Sequence, residues 1–375
     1  MRTELSDRFG MDIPLWGFSY EPKVVAAISR EGGMGVLGCV RFGGDADEMN
    51  DVLTWLTSET GGKPFGVNVV VPVTSMKVDA DLGDIEEKLR ALIPQEHRDF
   101  IEAFLAEHNV PPAPAEADAR GVLGWTPQTG AVQMEVAFDH DIALFSSALG
   151  PPPEEAVQEA HSRDVPVAAL VGRVDQALKQ REQGVDIIVA QGWEAGGHTG
   201  EVATMVLTPE VVDAVAPAPV LSAGGIGSGR QLAAALALGA QGAWTGSLWL
   251  GAAELGMPEG QQEVVMNATS SDTIRSRSLT GKPARQVRTP WIDAWESEDT
   301  PNPLQMPLQY LVTNDAMNRF RAADRWDLLG TPGGQIVGSI KQTRTVADII
   351  ATIRDEVIDS AHWLEGSLSD ERRDA

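Results

Sequence analysis

Two spacings of apolar residues take turns along most of this chain. Short continuous runs rich in valine, isoleucine and leucine alternate with stretches in which apolar residues recur every three to four positions. The runs fall at Ile13–Ser19, Met34–Gly38, Phe65–Pro72, Ile142–Ala148, Val165–Gly172, Val185–Gln191, Pro219–Ile226 and Ala243–Leu250. The helical spacings fill Glu21–Arg30, Asp47–Ser58, Glu154–Asp164, Val174–Gln183, Pro209–Ala216 and Arg230–Leu238. A strand that is apolar throughout, rather than at every second position, has both faces covered, as in a parallel sheet wrapped by helices. Eight such strands, nearly all separated by helices, predict an α/β fold of the TIM (β/α)8 barrel type. The competing architecture, an open doubly wound sheet, puts its glycine fingerprint after the first strand. Here the glycines crowd after the sixth, seventh and eighth.

Two segments break the rhythm. Val73–Asp141 is too long for a βα loop; it holds helical spacings near Ile85–Leu92, Arg98–His108 and Pro127–His140, and a proline cluster at Pro111–Pro114. It reads as a helical insertion after strand three, either a lid on the ligand-facing rim or a structural cap. Beyond Leu250 the pattern loosens into helices at Gln261–Thr269, Leu304–Ala323 and Val346–Leu364, a glycine-rich turn at Gly333–Gly338, and a frayed charged end at Ser367–Ala375. The expected division is 1–72 and 142–250 for the barrel, 73–141 for the insertion, and 251–375 for a C-terminal helical extension packed on the barrel.

Composition narrows the partners. Of 375 residues, 54 are acidic and 29 basic, a formal net charge of −25, which speaks against nucleic acid and anionic membrane. Cys39 is the single cysteine, so disulfides and a cysteine zinc site are excluded, and no metal is expected. Met1–Met11 lacks the apolar core of a signal peptide, and no apolar run reaches membrane length. A cytoplasmic location is the expectation.

Candidate chemistry gathers at Val189–Gly200. Four glycines fall within nine residues, and His198 stands among them. Glycine lets a backbone approach a flat ligand, and a histidine at a strand end can exchange a proton near neutral pH. Ser222–Gly229 closes strand seven with a glycine turn that can form an anion nest, and the following helix adds its positive end. Gly246 and Ser247 offer a second N–H and a hydroxyl at strand eight, and barrels of this class commonly bind phosphate at these two loops.

These segments, with Pro64–Asn68, carry a resemblance. The chain resembles the nitronate monooxygenase (2-nitropropane dioxygenase) family of FMN-dependent TIM barrels, related to flavin-dependent enoyl-ACP reductases. The resemblance rests on Gln191…Glu194-Ala-Gly-Gly-His198-Thr-Gly200, Ala223–Gly227, Trp244–Ser247 and Asn68, and runs in order over roughly residues 13 to 250. It implies that Asn68 and Gln191 hydrogen-bond the flavin ring, that Gly196 lies against it, and that Gly224, Gly225, Gly246 and Ser247 hold the FMN phosphate. Gly197, Trp244 and Thr245 of the same segments join the implied cofactor contacts. His198 is implied as the catalytic acid/base, in keeping with an imidazole whose ordinary pKa is about 6.5. Three departures stand out: Pro14–Tyr20 replaces the family's usual first-strand ending, the insertion is long, and a basic tract lies outside the motif set.

That tract, Thr273–Arg288, carries Arg275, Arg277, Lys282, Arg285 and Arg288 and no acid. It reads either as ion pairing to the acidic surface or across a homodimer interface, or as a clamp for an anionic substrate. Other histidines (His97, His108, His140, His161, His362) read as surface or capping residues, and Trp291 and Trp295 as core or pocket wall. Ser222 and Ser247 lack a nucleophile-elbow context. Three functions follow: oxidation of alkyl nitronates with O2; NAD(P)H-dependent reduction or dehydrogenation of an enoyl or keto thioester of the coenzyme A type; and a non-catalytic FMN-binding barrel.

Overall fold

The computed structural model describes residues 1–70, 82–113, 126–148 and 150–371. Its strands are β1 (Leu15–Ser19), β2 (Met34–Gly38), β3 (Phe65–Val69), β4 (Leu144–Ser147), β5 (Val167–Val171), β6 (Ile187–Gln191), β7 (Gly197–His198), β8 (Val220–Ala223), β9 (Gly242–Thr245), β10 (Thr273–Ser276) and β11 (Ala284–Val287). Eight of them close a parallel barrel in the order β1-β2-β3-β4-β5-β6-β8-β9, and β9 returns to β1 with Trp16 opposite Trp244. Seven of the eight expected runs hold their strand near its expected place; the eighth, Ala243–Leu250, leaves the strand at Thr245 and tightens into a 3-10 turn, Ser247–Gly251.

The helices are α1 (Glu4–Arg8), α2 (Pro22–Arg30), α3 (Ala46–Glu59), α4 (Leu82–Ala91), α5 (Gln95–Glu107), α6 (Pro127–Phe138), α7 (Glu154–Ser162), α8 (Val174–Glu182), α9 (Thr204–Val215), α10 (Gly229–Ala237), α11 (Glu259–Asn267), α12 (Pro290–Trp295), α13 (Leu308–Ala322) and α14 (Val346–Glu371). The barrel is filled by Trp16, Met34, Val36, Leu144, Ile187, Val189, Leu221 and Trp244. Leu5 of α1 joins this interior, and Thr3 donates to the Gln241 carbonyl just before β9, so α1 closes the N-terminal mouth. Between strands and helices lie two outer cores, one of which receives Ile349, Ile350, Ile353 and Val357 of α14 against α2 and α10.

The insertion and the extension meet. Leu89, Ile93, Ile101, Phe104 and Leu105 of the α4–α5 region form one buried cluster with Trp291 and Trp295 of α12 and Leu311 and Phe320 of α13. Both tryptophans therefore serve this core, with Trp291 edge-on to Phe104 at 5.0 Å between ring centroids. His97, read from sequence as a surface or capping residue, is buried here, with Nε2 2.9 Å from the Asn302 carbonyl and its ring against Trp295. Residues 71–81 and 114–125, which include part of the expected lid, lie outside the described residues. So do 372–375; before them α14 continues through most of the stretch expected to fray.

One element has no counterpart in the pattern of apolar residues. The basic tract is a β-hairpin, β10–β11, whose second strand pairs with β7, Ala284 opposite His198 and Arg285 opposite Gly197. The histidine loop is thus the edge of a three-stranded antiparallel sheet. A two-residue strand has no periodicity to read, and its partner lies far along the chain.

Candidate active site

The C-terminal ends of the barrel strands open into one cavity of about 870 Å3, within the range of cofactor and substrate sites. Asn68, Gln191, Gly196, Gly197, Gly224, Gly225, Trp244, Thr245, Gly246, Ser247 and His198 all contribute to its wall. Asn68 reaches it from the end of β3 and is held from behind: its Nδ2 donates to Ser146 Oγ at 3.0 Å, and that hydroxyl donates to the Val67 carbonyl.

At the β8 end the backbone turns through two left-handed glycines, Gly224 (φ +96°) and Gly225 (φ +70°), a conformation L side chains rarely adopt. The N–H groups of Gly224, Gly225 and Ile226 donate to no other described residue. Donors unpaired in a concave turn fit a phosphate group such as that of FMN. The helix that follows contributes less than its position implies. The N-terminal N–H of α10, on Gly229, is already taken by the Glu356 carboxylate of α14 at 2.6 Å, and Ser228 and Gln231 satisfy the neighbouring groups. At the end of the neighbouring strand β9, Ser247 Oγ accepts from Gly334 N at 2.7 Å, leaving its own hydroxyl proton available. Gly334 has no room for a side chain: a β-carbon there would stand 2.6 Å from the Glu194 carbonyl oxygen and 2.9 Å from Gly196 N. The glycine turn of the extension is therefore part of the wall, a role its sequence does not announce.

The histidine segment is fixed at three points. The Glu194 carboxylate accepts from Thr204 N and Thr204 Oγ1, both at 2.9 Å, and so caps α9 five residues before the expected start at Pro209. The Glu194 carbonyl accepts from Gln335 N. Beyond it, β7 is locked to β11. His198 Nε2 then lies 2.8 Å from Thr280 Oγ1 at the hairpin tip. Thr280 is fully buried, and the tip is held by Gln309, which donates to the Ser278 carbonyl, and Thr313, which donates to that of Leu279. Burial and, secondarily, the Lys282 ammonium push the His198 pKa down to about 4. The ring is therefore neutral at pH 7, and the ordinary value near 6.5 assumed from sequence does not apply.

The five cations of the hairpin part company. Arg275 and Lys282 line the cavity. Arg275 is mostly engaged, donating to the Thr199 carbonyl, pairing with Glu201 at 3.5 Å and stacking 4.9 Å from the Trp193 ring centre. Lys282 is exposed and makes no ion pair among the described residues. Arg285 is buried beneath Trp193, donating to its carbonyl. Arg277 closes the tip onto the Gly281 carbonyl, and Arg288 pairs with Asp293 away from the cavity. A five-membered clamp therefore does not form. Sequence reasoning passed over Thr280 and Tyr310 and named Tyr20 only as the end of the unusual Pro14–Tyr20 segment; all three are in the wall, and the two tyrosines are the only ones in the chain.

A family model described as nitronate monooxygenase matches residues 11–356. A protein of Mycobacterium tuberculosis (strain ATCC 25618 / H37Rv) named "Putative monooxygenase Rv1533" is 46% identical over 380 residues, covering 98% of this chain and 99% of that protein. A protein of Staphylococcus saprophyticus named "Probable nitronate monooxygenase" is 26% identical, covering 81% of this chain and 83% of that one. Among solved structures, a nitroalkane oxidase from Streptomyces ansochromogenes superposes with a TM-score of 0.77 at 22% identity, covering 96% of this chain and 99% of that one. No helix among the described residues is long and apolar enough to cross a membrane.

Proposed function

The chain belongs to the nitronate monooxygenase family of oxidoreductases, and from that premise we propose that it is an FMN-dependent enzyme that oxidises alkyl nitronates with O2, with His198 as acid/base. The observation that carries this reading is the neutral His198 held 2.8 Å from Thr280 in the wall of the same cavity as a turn of unpaired backbone N–H groups. The turn at Gly224–Ile226, with Gly246 and the Ser247 hydroxyl, would hold the phosphate, and Asn68 and Gln191 the ring edge. The flavin, when bound, supplies the two-electron redox chemistry. The protein does the rest. A neutral imidazole, its ring oriented by the Nε2 contact to Thr280, accepts the α-proton of a nitro compound, or returns one, at its other nitrogen. Lys282, beside it, offsets the negative charge of the nitronate.

The test is anaerobic mixing of the purified yellow protein with propyl nitronate in one cell and NADH or NADPH in another, following flavin absorbance. Reduction by nitronate is expected. Rapid bleaching by NAD(P)H with no response to nitronate would transfer the chain to the thioester reductases, and a protein that takes up no FMN at all overturns both.

A further inference from the structure

Asn68, near the C-terminal end of β3, is paired in register with Ser146 on β4, so the two side chains leave adjacent parallel strands on the same side of the sheet. Both are buried, Asn68 to 5% exposure and Ser146 to none. Their hydrogen bonds can be counted proton by proton. A serine hydroxyl has one proton to give. That of Ser146 goes to the Val67 carbonyl at 2.8 Å, so its oxygen can otherwise only accept, and it accepts from Asn68 Nδ2 at 3.0 Å. With the amide turned over, Oδ1 would face the same hydroxyl. The single proton would then serve either Oδ1 or Val67, and one acceptor would be stranded in a place closed to solvent. The count therefore fixes the amide, with its nitrogen toward Ser146 and its oxygen away. That oxygen receives no hydrogen bond from any described residue, and the open side of Asn68 is the cavity.

The other side chain assigned to the ring edge behaves differently. Gln191, at the end of β6, also lines the cavity, but its amide makes no hydrogen bond among the described residues and can present either end. The two amides thus offer different things to a ligand. An oxidised isoalloxazine ring has a single N–H, at N3, with a carbonyl on each side of it. A side chain that offers only an acceptor meets the N–H; one that offers a donor meets a carbonyl. Asn68 is committed to the first and Gln191 to neither. The position agrees with this division of work. In the barrel order β3 is four strands from β8 in either direction, so Asn68 stands on the far side of the mouth from the Gly224–Gly225 turn.

Resting on the reading that the cavity takes FMN, we propose that Ser146 is a positioning residue for cofactor recognition. By engaging the amide nitrogen of Asn68 it turns Oδ1 into the cavity, where that oxygen accepts from the flavin N3–H. Ser146 does not itself line the cavity and acts only through Asn68. Without its hydroxyl the amide is free to turn, and the same side chain then reads a carbonyl of the ring instead.

The test reads the N3–H group by NMR, in protein reconstituted with FMN carrying NMR-active nitrogen, alongside the dissociation constant from quenching of FMN fluorescence. The native N3 proton keeps an acceptor, so it should lie no further upfield than in free, water-solvated FMN. Ser146→Ala should shift it upfield and weaken FMN binding by about two- to tenfold. Asn68→Asp presents an acceptor in either orientation, so adding it to Ser146→Ala should return the proton downfield. A hydroxyl that only supported the strand pair would act otherwise: its loss would weaken binding with the N3 signal of the bound flavin unmoved, and the aspartate would rescue nothing. That result, or a native N3 proton upfield of free FMN, overturns the proposal. Neither measurement involves turnover. If nitronate fails to reduce the flavin while the N3 signal follows Ser146, the proposed reaction fails and this contact stands. If nitronate reduces the flavin and the N3 signal ignores Ser146, this contact alone fails. A protein that takes up no FMN overturns both.

Discussion

At the scale of single residues the site turns on where His198 keeps its proton. A histidine among glycines is visible in the sequence, and its ordinary pKa would leave it half-protonated near neutrality. Its neighbours are not visible, because Thr280 and Lys282 reach it only through strand pairing. Burial first and the Lys282 charge second lower its pKa to about 4. The sign follows: the folded state binds this proton less readily than the unfolded chain does. The stability His198 contributes is therefore full above the unfolded value of about 6.5 and is lost as pH falls through 4. For catalysis the base is unprotonated down to the same limit. The kcat/KM profile for a nitro compound should thus have no acid limb between about pH 5 and 7, and a limb centred near 6.5 would show that the histidine is not held as described. Lys282→Met removes the lesser cause, so any limb should move up but stay below the ordinary histidine value. Thr280 is a positioning residue in this arrangement. Thr280→Val should lower kcat by roughly ten- to a hundredfold with little change in KM or flavin content, and Thr280→Ser should recover most of it; loss of flavin in the valine variant would mean a structural role instead.

At the scale of elements, the barrel strands were legible because each is a continuous apolar run with a helix after it, and burial on both faces permits nothing else. The insertion helices were legible for the same reason, but their destination was not: Phe104 and Trp291 read as apolar in isolation, and only the fold brings them together. The phosphate end divides in the same way. Its glycines announce the turn, whereas the capping of α10 by Glu356 depends on a helix more than a hundred residues later. That contact leads to a prediction. A carboxylate accepting from a helix N-terminal N–H contributes about 1–2 kcal/mol, so Glu356→Ala should lower the melting temperature by a few degrees. Flavin affinity should hold or rise, because the variant removes a negative charge near the Gly224–Gly225 turn and frees the Gly229 N–H. A weaker grip on FMN, measured by fluorescence of the released cofactor, would mean that α14 serves the site by a route other than this cap.

At the scale of the whole molecule the decisive quantity is charge. The chain carries 54 acidic and 29 basic residues, and its formal charge is −25. Salt acts on this in two directions. It screens attractive surface pairs such as Arg30–Glu59 and Arg173–Asp175, which contribute little to stability, and it screens repulsion among the carboxylates that have no cation to meet. The first effect is bounded by the number of cations, and one of them, Arg285, is withdrawn from the surface beneath Trp193. The second grows with the square of the net charge and is spread over the whole surface. Repulsion should therefore dominate. Raising NaCl from about 0.02 M to about 0.5 M shortens the Debye length from about 20 Å to about 4 Å, and the melting temperature should rise steadily over that range and level off once the screening length falls below the spacing between neighbouring carboxylates. A melting temperature that is flat or falls with salt would mean that the acidic residues are more fully paired than their excess over cations allows.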